Sequence, residues 1–384
     1  MKPIYIIGCG LFGSVIAERI ATHLKLKVII LEQRNHIGGN CFSFIDKQTG
    51  INCHKYGSHI FHTSDCNVIN YVKPFMTLNH YRHQVFTRHA DEIYQMPINL
   101  STINKFFNKN LTPCEGQEFL KKMIEDSKIH NPKNFEEQAI SLIGKDLYHA
   151  FIRGYTAKQW QRDPKELPSY IIKRLPFRTN YCADYFNDSF QGIPTEGYTP
   201  FFEKLLESPL IEIRLNTKFN SHLKEIQESP LVIYTGSPDE LFDYCFGRLE
   251  WRTLDFLWET KNCSDFQGCA VINEADETIP YTRTHEFKHY HPENKQSLQL
   301  SQTVICREFS REYKEGDTPY YPVDTHKNRE LYLRYEQLAE TRGNLILGGR
   351  LGMYRYMDMD KTIASALDTF DHCKEILKYK SSYS

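Results

Sequence analysis

The groups most capable of chemistry in this 384-residue chain are arginines set beside tyrosines. Tyr155-Thr156-Ala157-Lys158-Gln159-Trp160 is followed by Arg174 and Tyr185-Phe186. Further on come Pro280-Tyr281-Thr282-Arg283, Pro319-Tyr320-Tyr321-Pro322, and Arg350 to Asp358 with Tyr354 and Tyr356. A guanidinium grips phosphate through two parallel N–H donors, and a tyrosine offers a flat face for a base or sugar plus one hydroxyl for a phosphate oxygen. Such a set suits a nucleoside diphosphate carrying a sugar. Because the chain holds 24 Tyr and 24 Phe, most of these rings must serve packing, and composition singles out none of them. A separate stretch, His54-Lys55-Tyr56-Gly57-Ser58-His59-Ile60-Phe61-His62-Thr63, places three histidines over nine positions. It carries no acidic or cysteine partner to complete a metal set, so a glycine turn presenting a histidine to a bound ring is the better reading, and no metal is expected.

The elements that must position these groups begin with a short apolar run, Ile4 to Ile7, which leads into Gly8-Cys9-Gly10-Leu11-Phe12-Gly13. A helix-like segment follows, then Lys27-Val28-Ile29-Ile30-Leu31 ending at Glu32. Strand, glycine turn, helix, strand and acid in that order make a dinucleotide-binding βαβ unit. Gly8 permits the tight turn, Gly10 lets the backbone approach a pyrophosphate, and Gly13 lets the helix pack closely on the sheet. Glu32, 19 residues beyond Gly13, can accept hydrogen bonds from both ribose hydroxyls. The continuation Glu32-Gln33-Arg34 and Gly38-Gly39-Asn40 resembles the extended ADP-binding motif of glutathione-reductase-like flavoproteins, which implies FAD rather than NAD. No second GxGxxG follows to hold NAD(P)H, so the electrons for a bound flavin must come from an external reductant or a cofactor docked without that motif.

Hydrophobic residues at 40%, charged residues at 25% and a net charge of −1 are those of a soluble globular protein, with no electrostatic reason to expect nucleic acid or an anionic membrane as partner. The length implies two or three domains. The apolar start is interrupted by the glycine turn and by Glu18, so it reads as neither a signal peptide nor a membrane span, and a cytoplasmic location is expected. Eleven scattered cysteines read as reduced, mostly buried thiols.

Leu231 to Gly236 and Asn344 to Arg350 have the flavour of further strands of the nucleotide unit. A helical tail follows with Asp360 as N-cap and Ile363, Ala366, Leu367, Phe370, Cys373 and Leu377 at helical spacing. Residues 100–180 read as helical, with Asn134 to Glu137 as a capping box before Ala139, Leu142, Ile143, Leu147 and Phe151 on one face. Residues 250–325 favour strands. The expected fold is α/β: a discontinuous Rossmann-like FAD-binding domain (1–80, 196–245 and 335–384), a helical substrate domain carrying a mobile loop (100–180), and an antiparallel β-sheet domain (81–99, 181–195 and 246–334).

Taken together these motifs closely resemble the bacterial UDP-galactopyranose mutases, in order and over nearly the whole chain. To those already quoted are added Gly154, Lys173-Arg174-Leu175-Pro176 and the full run Gly349 to Asp360. The resemblance implies a redox-neutral isomerisation that needs reduced FAD. N5 of the flavin displaces the nucleoside diphosphate from the anomeric carbon, and the sugar ring opens and recloses through its 4-hydroxyl as a furanose. Carried over by motif, Arg174 and Arg283 would hold the diphosphate, with hydroxyls from Tyr185, Tyr321 and Tyr356 and with Tyr320 beside them. Phe151, Tyr155, Thr156, Trp160 and Asn273 would form the base and ribose pocket. His59 would sit by the flavin as a third catalytic residue. Phe12, Gly39, Asn40, Ile60, Gly236, Arg350, Asp358 and Met359 would border the cofactor.

UDP-galactopyranose is the leading substrate on this resemblance and dTDP-fucopyranose the alternative, with the furanose serving a surface polysaccharide such as an O-antigen. A homodimer is the further partner, and an FAD oxidase or dehydrogenase of the same fold is the weaker reading. Four departures bear on the substrate. His83 stands where relatives usually place an asparagine facing the sugar, Gln161 replaces a glycine, Ser58 an alanine or proline, and Phe287 a histidine.

Overall fold

The computed structural model describes residues 2–174, 176–220 and 223–381; the side chains of 173, 174 and 379–381 are outside the description. Its first layer is a five-stranded parallel sheet. β1 (Ile4–Ile7) lies at the centre, flanked by β2 (Val28–Leu31) and then Ile211–Arg214 on one side, and by Val232–Tyr234 and then Leu345–Leu347 on the other. Both β1 and β2 are buried along their whole length, as expected of strands covered on two faces. From β1 the chain crosses to β2 on one side and later returns from Ile211–Arg214 to Val232–Tyr234 on the other, so the strand order reverses at β1 and opens a crevice beyond its carboxyl end. Helix Leu11–Arg19 makes the crossover to β2 and is locked in place by the tail helix Met359–Ser381, with Phe12, Val15 and Ile16 meeting Ile363, Ala366 and Phe370 in one core.

The second layer is a seven-stranded sheet in the order Tyr321–Pro322, Trp251–Lys261, Thr303–Glu312, Arg283–Glu286, Val271–Glu274, Val85–His89, Glu92–Met96. It is antiparallel except where Val271–Glu274 runs parallel to Val85–His89. Its register matters for the site. Asn273 is opposite Arg283, Arg283 opposite Glu308, and Glu308 opposite Phe256, so the four side chains form a row on one face. His285, two residues beyond Arg283, shares that face.

Between 100 and 174 the chain is helical: Leu100–Phe106, Pro113–Asp126, Phe135–Ile143, a π turn Tyr148–Arg153 and Gly154–Trp160. Asn134 caps its helix by accepting from the Glu137 N–H at 2.9 Å, while the Glu137 carboxylate accepts from Lys133 N–H rather than closing a reciprocal box. Gly144, at φ +78°, ends this helix, so the expected stripe is broken: Ala139, Ile143, Leu147 and Phe151 are buried, but Leu142 faces solvent.

Other expectations shift by a few residues. Asp360 lies inside the tail helix instead of capping it, its carboxylate accepting from Thr63 Oγ1 and Lys361 N–H. Phe190–Gly192 pairs with Phe61–Thr63, outside the large sheet. Helix His326–Glu340 packs through Tyr332, Tyr335 and Ala339 onto the parallel sheet, beside Tyr5 and Val232. Four of the eleven free thiols are exposed. No helix among the described residues is long and apolar enough to cross a membrane.

Candidate functional site: a dinucleotide crevice meeting an arginine and tyrosine cluster

A cavity of about 2030 Å³ opens at the carboxyl end of β1. Gly8, Gly10, Phe12, Gly13, Glu32, Arg34, Gly39, Asn40, His59, Gly236, Arg350 and Met359 all line it, whereas Ile60 and Asp358 stand off its wall. The Glu32 carboxylate is pinned by the N–H groups of Cys9 (2.8 Å) and Arg34 (2.9 Å), leaving lone pairs for a ribose diol. Arg34 donates to Asn40 Oδ1 at 2.9 Å and lies over the Tyr56 ring, 4.4 Å from its centre, yet its Nη1 is buried with no hydrogen-bond partner among the described residues. Gly39, at φ +56°, approaches Gly10 so closely that a Cβ on it would sit 2.9 Å from the Gly10 Cα. Two turns thus press their backbones together at the mouth of the helix, where a pyrophosphate can reach N–H groups and the positive helix end. An unpartnered guanidinium N–H, a pinned carboxylate and a cradle that side chains would fill fit the phosphates and ribose of FAD.

The histidine turn forms the next wall. Gly57 has φ +89°, which turns the chain so that the His59 Nδ1–H donates to the Gly57 carbonyl at 2.8 Å. The His59 N–H donates to His54 Nδ1 at 3.1 Å, and its carbonyl accepts from Tyr198 at 2.9 Å. With Nδ1 engaged as donor, Nε2 of His59 carries the lone pair.

The sheet face completes the site. Arg283 donates through Nη2 to the Tyr155 hydroxyl, and its Nε lies 3.6 Å from Glu308 Oε1; neither of those two facing atoms has a hydrogen-bond partner among the described residues. Burial opposes the charge on both groups, but each offsets the other: Glu308 stays below the ordinary carboxylate range through Arg283 and His285, and Arg283 is held above its own through Glu308. Tyr321 and Tyr356 lie with ring centres 5.8 Å apart, and the Arg350 guanidinium sits 5.7 and 5.0 Å from those centres. The His59 ring feels both Arg350 and Glu308, so the cofactor wall and the arginine and tyrosine cluster meet there.

Helix Gly154–Trp160 is clamped to this sheet. A Cβ on Gly154 would lie 2.2 Å from the Ala275 carbonyl, and Lys158 Nζ donates to the carbonyls of Glu274, Asp276 and Tyr281 at 2.7, 2.8 and 3.2 Å. Burial brings the Lys158 ammonium down to about 8. The clamp presents Tyr155 to Arg283. It also places two buried amide oxygens that have no hydrogen-bond partner among the described residues, Gln159 Oε1 and Asn273 Oδ1. Thr156 is buried and Trp160 half-buried. The Phe151 ring is buried, edge-on to Tyr94 (4.9 Å) and Phe106 (5.2 Å). Tyr320 packs against Phe256 and feels Arg34 and Tyr56, on the cofactor side of Tyr321. The side chain of Arg174 lies outside the described residues.

His83 is buried between Tyr185, edge-on at 5.2 Å, and Phe186, stacked at 5.6 Å, and its Nδ1 is 2.9 Å from the Tyr81 hydroxyl. Burial and Arg283 push it down to about 3. The reasoning from sequence missed Glu308, His285 and Tyr290; the pairing of Thr303–Glu312 with Arg283–Glu286 brings the first two to the site, and the turn Phe287–Tyr290 brings the Tyr290 hydroxyl to Ser58.

Four of these imidazoles are held neutral chiefly by burial: His54, His59 (about 4), His83 (about 3) and His285. Their folded values lie below the ordinary 6.5, so the unfolded chain binds more protons and stability falls as pH drops from about 6.5 toward 4. The melting temperature is therefore expected to fall steadily between pH 7 and 5 and to change little between 7 and 8 through these rings. A melting temperature unchanged from pH 7 to 5 would show that they are not buried neutral.

Fold and site together define an FAD-binding protein with a Rossmann-like unit and a separate sheet that brings cations and phenols to the cofactor. A family model of UDP-galactopyranose mutase matches residues 150–356, and one of NAD(P)-binding Rossmann-like domains matches residues 6–75. The chain is 41% identical to the dTDP-fucopyranose mutase of Escherichia coli over 96% of its length and 97% of that protein's. It is 43% identical to the probable UDP-galactopyranose mutase of Klebsiella pneumoniae over 96% and 94%. The fold superposes on a crystal structure of reduced UDP-galactopyranose mutase with a TM-score of 0.75 at 17% identity, covering 98% of this chain and 96% of that one. The chain belongs to the UDP-galactopyranose mutase family.

Proposed function

We propose that this protein interconverts the pyranose and furanose forms of a nucleotide-diphosphate hexose, with UDP-galactopyranose as the leading substrate and cytoplasmic synthesis of a surface polysaccharide such as an O-antigen as its setting. The observation that carries the reading is the row Asn273, Arg283 and Glu308, facing Tyr155 beside the cofactor cavity, in a chain of this family. Bound FAD, in its reduced form, supplies a nucleophile for the anomeric carbon. The chain's own residues do the rest. Arg283, with Arg174 as the second cation, neutralises the diphosphate as it leaves and returns, and Tyr185, Tyr321 and Tyr356 donate hydroxyls to it. Gln159 Oε1 and Asn273 Oδ1 can accept from the base and ribose, and the Tyr155 and Trp160 rings offer faces for stacking. His59, neutral and fixed in one tautomer, offers its Nε2 as an acceptor on the cofactor wall.

The test is to reduce the purified flavoprotein with dithionite and incubate it separately with UDP-galactopyranose and dTDP-fucopyranose, resolving isomers by chromatography. Furanose product from UDP-galactose is the expected result. No isomer from either, with the flavin reduced, would overturn both substrate readings.

A second reading, dTDP-fucopyranose, is favoured by His83, a bulky neutral ring walled in by Tyr81, Tyr185 and Phe186, and by the identity to the E. coli enzyme. His83→Asn replaces that ring with a small amide that can pair a 6-hydroxyl. It is expected to raise the ratio of kcat/KM for UDP-galactose over dTDP-fucose about tenfold, the worth of one well-made polar contact in a closed site. An unchanged ratio would remove His83 from specificity.

A further inference from the structure

Behind Arg283 and the histidine turn runs a buried chain of hydrogen bonds that the proposed reaction does not use. Ser58 Oγ lies 2.6 Å from His285 Nδ1 and in short contact with the Tyr290 hydroxyl, and His285 Nε2 lies 3.3 Å from Glu308 Oε2. His285, Tyr290 and Glu308 are all buried. The polarity starts from one fact: the carboxylate of Glu308 can only accept. His285 therefore donates from Nε2 to Glu308, which leaves Nδ1 as an acceptor for the Ser58 hydroxyl. Two hydroxyls reach that lone pair, Ser58 at 2.6 Å and Tyr290 at 3.4 Å; the nearer, Ser58, is its donor, and the Ser58 oxygen accepts from the Tyr290 O–H. Burial keeps His285 neutral despite Glu308, as this polarity requires.

The two ends of the chain belong to the two halves of the site. At one end Glu308 carries Arg283 on its unpaired Oε1. At the other, Ser58 is the residue between Gly57 and His59, in a turn whose backbone already abuts the carboxylate: a Cβ on Gly57 would sit 3.4 Å from Glu308 Oε2. We propose that His285 is a positioning residue that ties the diphosphate-holding Arg283 to the cofactor-facing His59 turn, one ring nitrogen serving each side. The proposal rests on the reading of Arg283 as a diphosphate cation.

Two substitutions divide the ring's two bonds. His285→Asn keeps a group at the Nδ1 position for Ser58 but withdraws the donor from Glu308. His285→Gln keeps the donor and withdraws the acceptor from Ser58. Two quantities are measured on the flavin-loaded protein without turnover: the Kd for UDP by calorimetry on the oxidised form, and the midpoint potential of the bound flavin.

His285→Asn is expected to weaken UDP by about tenfold, the scale of a lost hydrogen bond to a charged group, with the potential unmoved. His285→Gln is expected to leave the UDP affinity within about twofold and to move the potential. Ser58→Ala, the mildest change, is expected to move the potential in the same sense and leave UDP binding alone. If both His285 variants alter the two quantities alike, or alter only the melting temperature, the ring is mere packing and the proposal fails. Should the wild type bind neither UDP nor dTDP, the diphosphate reading of Arg283 fails. The potentials of Ser58→Ala and His285→Gln then still decide whether the chain reaches the cofactor.

Discussion

Arg283→Ala is expected to lower turnover by a factor on the order of 10³ while flavin stays bound, because Arg283 lies outside the dinucleotide wall and its loss removes charge from the leaving diphosphate, where single donors in water-poor sites already count for 10²–10³. A second effect accompanies it. Glu308, with 4% of its side chain exposed, would be left as a buried carboxylate whose neighbouring cation is gone, and breaking a buried pair from one side costs roughly 3–5 kcal/mol. His285 alone would remain as its hydrogen-bond donor. The two effects separate in the double variant Arg283→Ala with Glu308→Gln: the melting temperature is expected to recover most of its loss, because no unpaired charge remains, whereas turnover stays at the level of the single variant. Arg283→Lys is expected to fall between, keeping a charge but not the planar fork. The measurements are furanose formation under dithionite and thermal melting of each variant. An Arg283→Ala protein that turns over at more than about a tenth of the wild-type rate would remove the residue from the role assigned to it.

The contrast between Glu308 and Glu32 explains what could be read from the chain alone. Glu32 is local: a strand, a glycine turn and a helix fix its distance from Gly13, and the parallel sheet and flavoprotein class follow from that short order of elements. Glu308 is one more acid in a strand that also carries Arg307, Arg311 and Glu312. It becomes a site residue only because Thr303–Glu312 pairs with Arg283–Glu286 in a register that sets it opposite Arg283, and register is a tertiary outcome. Phe151 shows the converse. Motif resemblance places it in the base pocket, and only the packed structure shows that its ring is also buried among Tyr94 and Phe106 while Tyr155, one turn on, meets Arg283. His83 was visible as a departure, whereas its aromatic box depends on Tyr185 and Phe186, about a hundred residues away in sequence.

Gly13→Ala is expected to yield colourless, destabilised protein. A Cβ at this position would lie 2.2 Å from the Gly8 carbonyl oxygen and 3.1 Å from Ile6 Cγ2, and the first of these is backbone. The peptide bearing this carbonyl cannot retreat, since its own N–H, that of Cys9, is held by Glu32 Oε2 at 2.8 Å and the preceding peptide is pinned on both sides, Gly8 N–H to the Leu31 carbonyl at 2.8 Å and the Ile7 carbonyl to the Thr235 N–H at 3.0 Å. Helix Leu11–Arg19 would have to lift from the sheet instead, yet Val15 and Ile16 on it are fully buried against the tail helix. Overpacking of this kind costs about 1–3 kcal/mol, and it displaces the helix mouth on which the pyrophosphate depends. Gly10→Ala is the control. Its added methyl would meet nothing nearer than the Gly39 Cα at 3.9 Å, so the chain is expected to fold and to melt as flavin-stripped wild type does while the methyl obstructs the phosphates. Flavin absorbance, and thermal melting referred to flavin-stripped wild type because bound flavin itself stabilises the fold, distinguish the cases: loss of colour in both, loss of stability beyond that of the flavin-free protein in Gly13→Ala alone. A yellow, normally melting Gly13→Ala would mean that the helix can move after all, and that close packing at this turn is not what holds the cofactor.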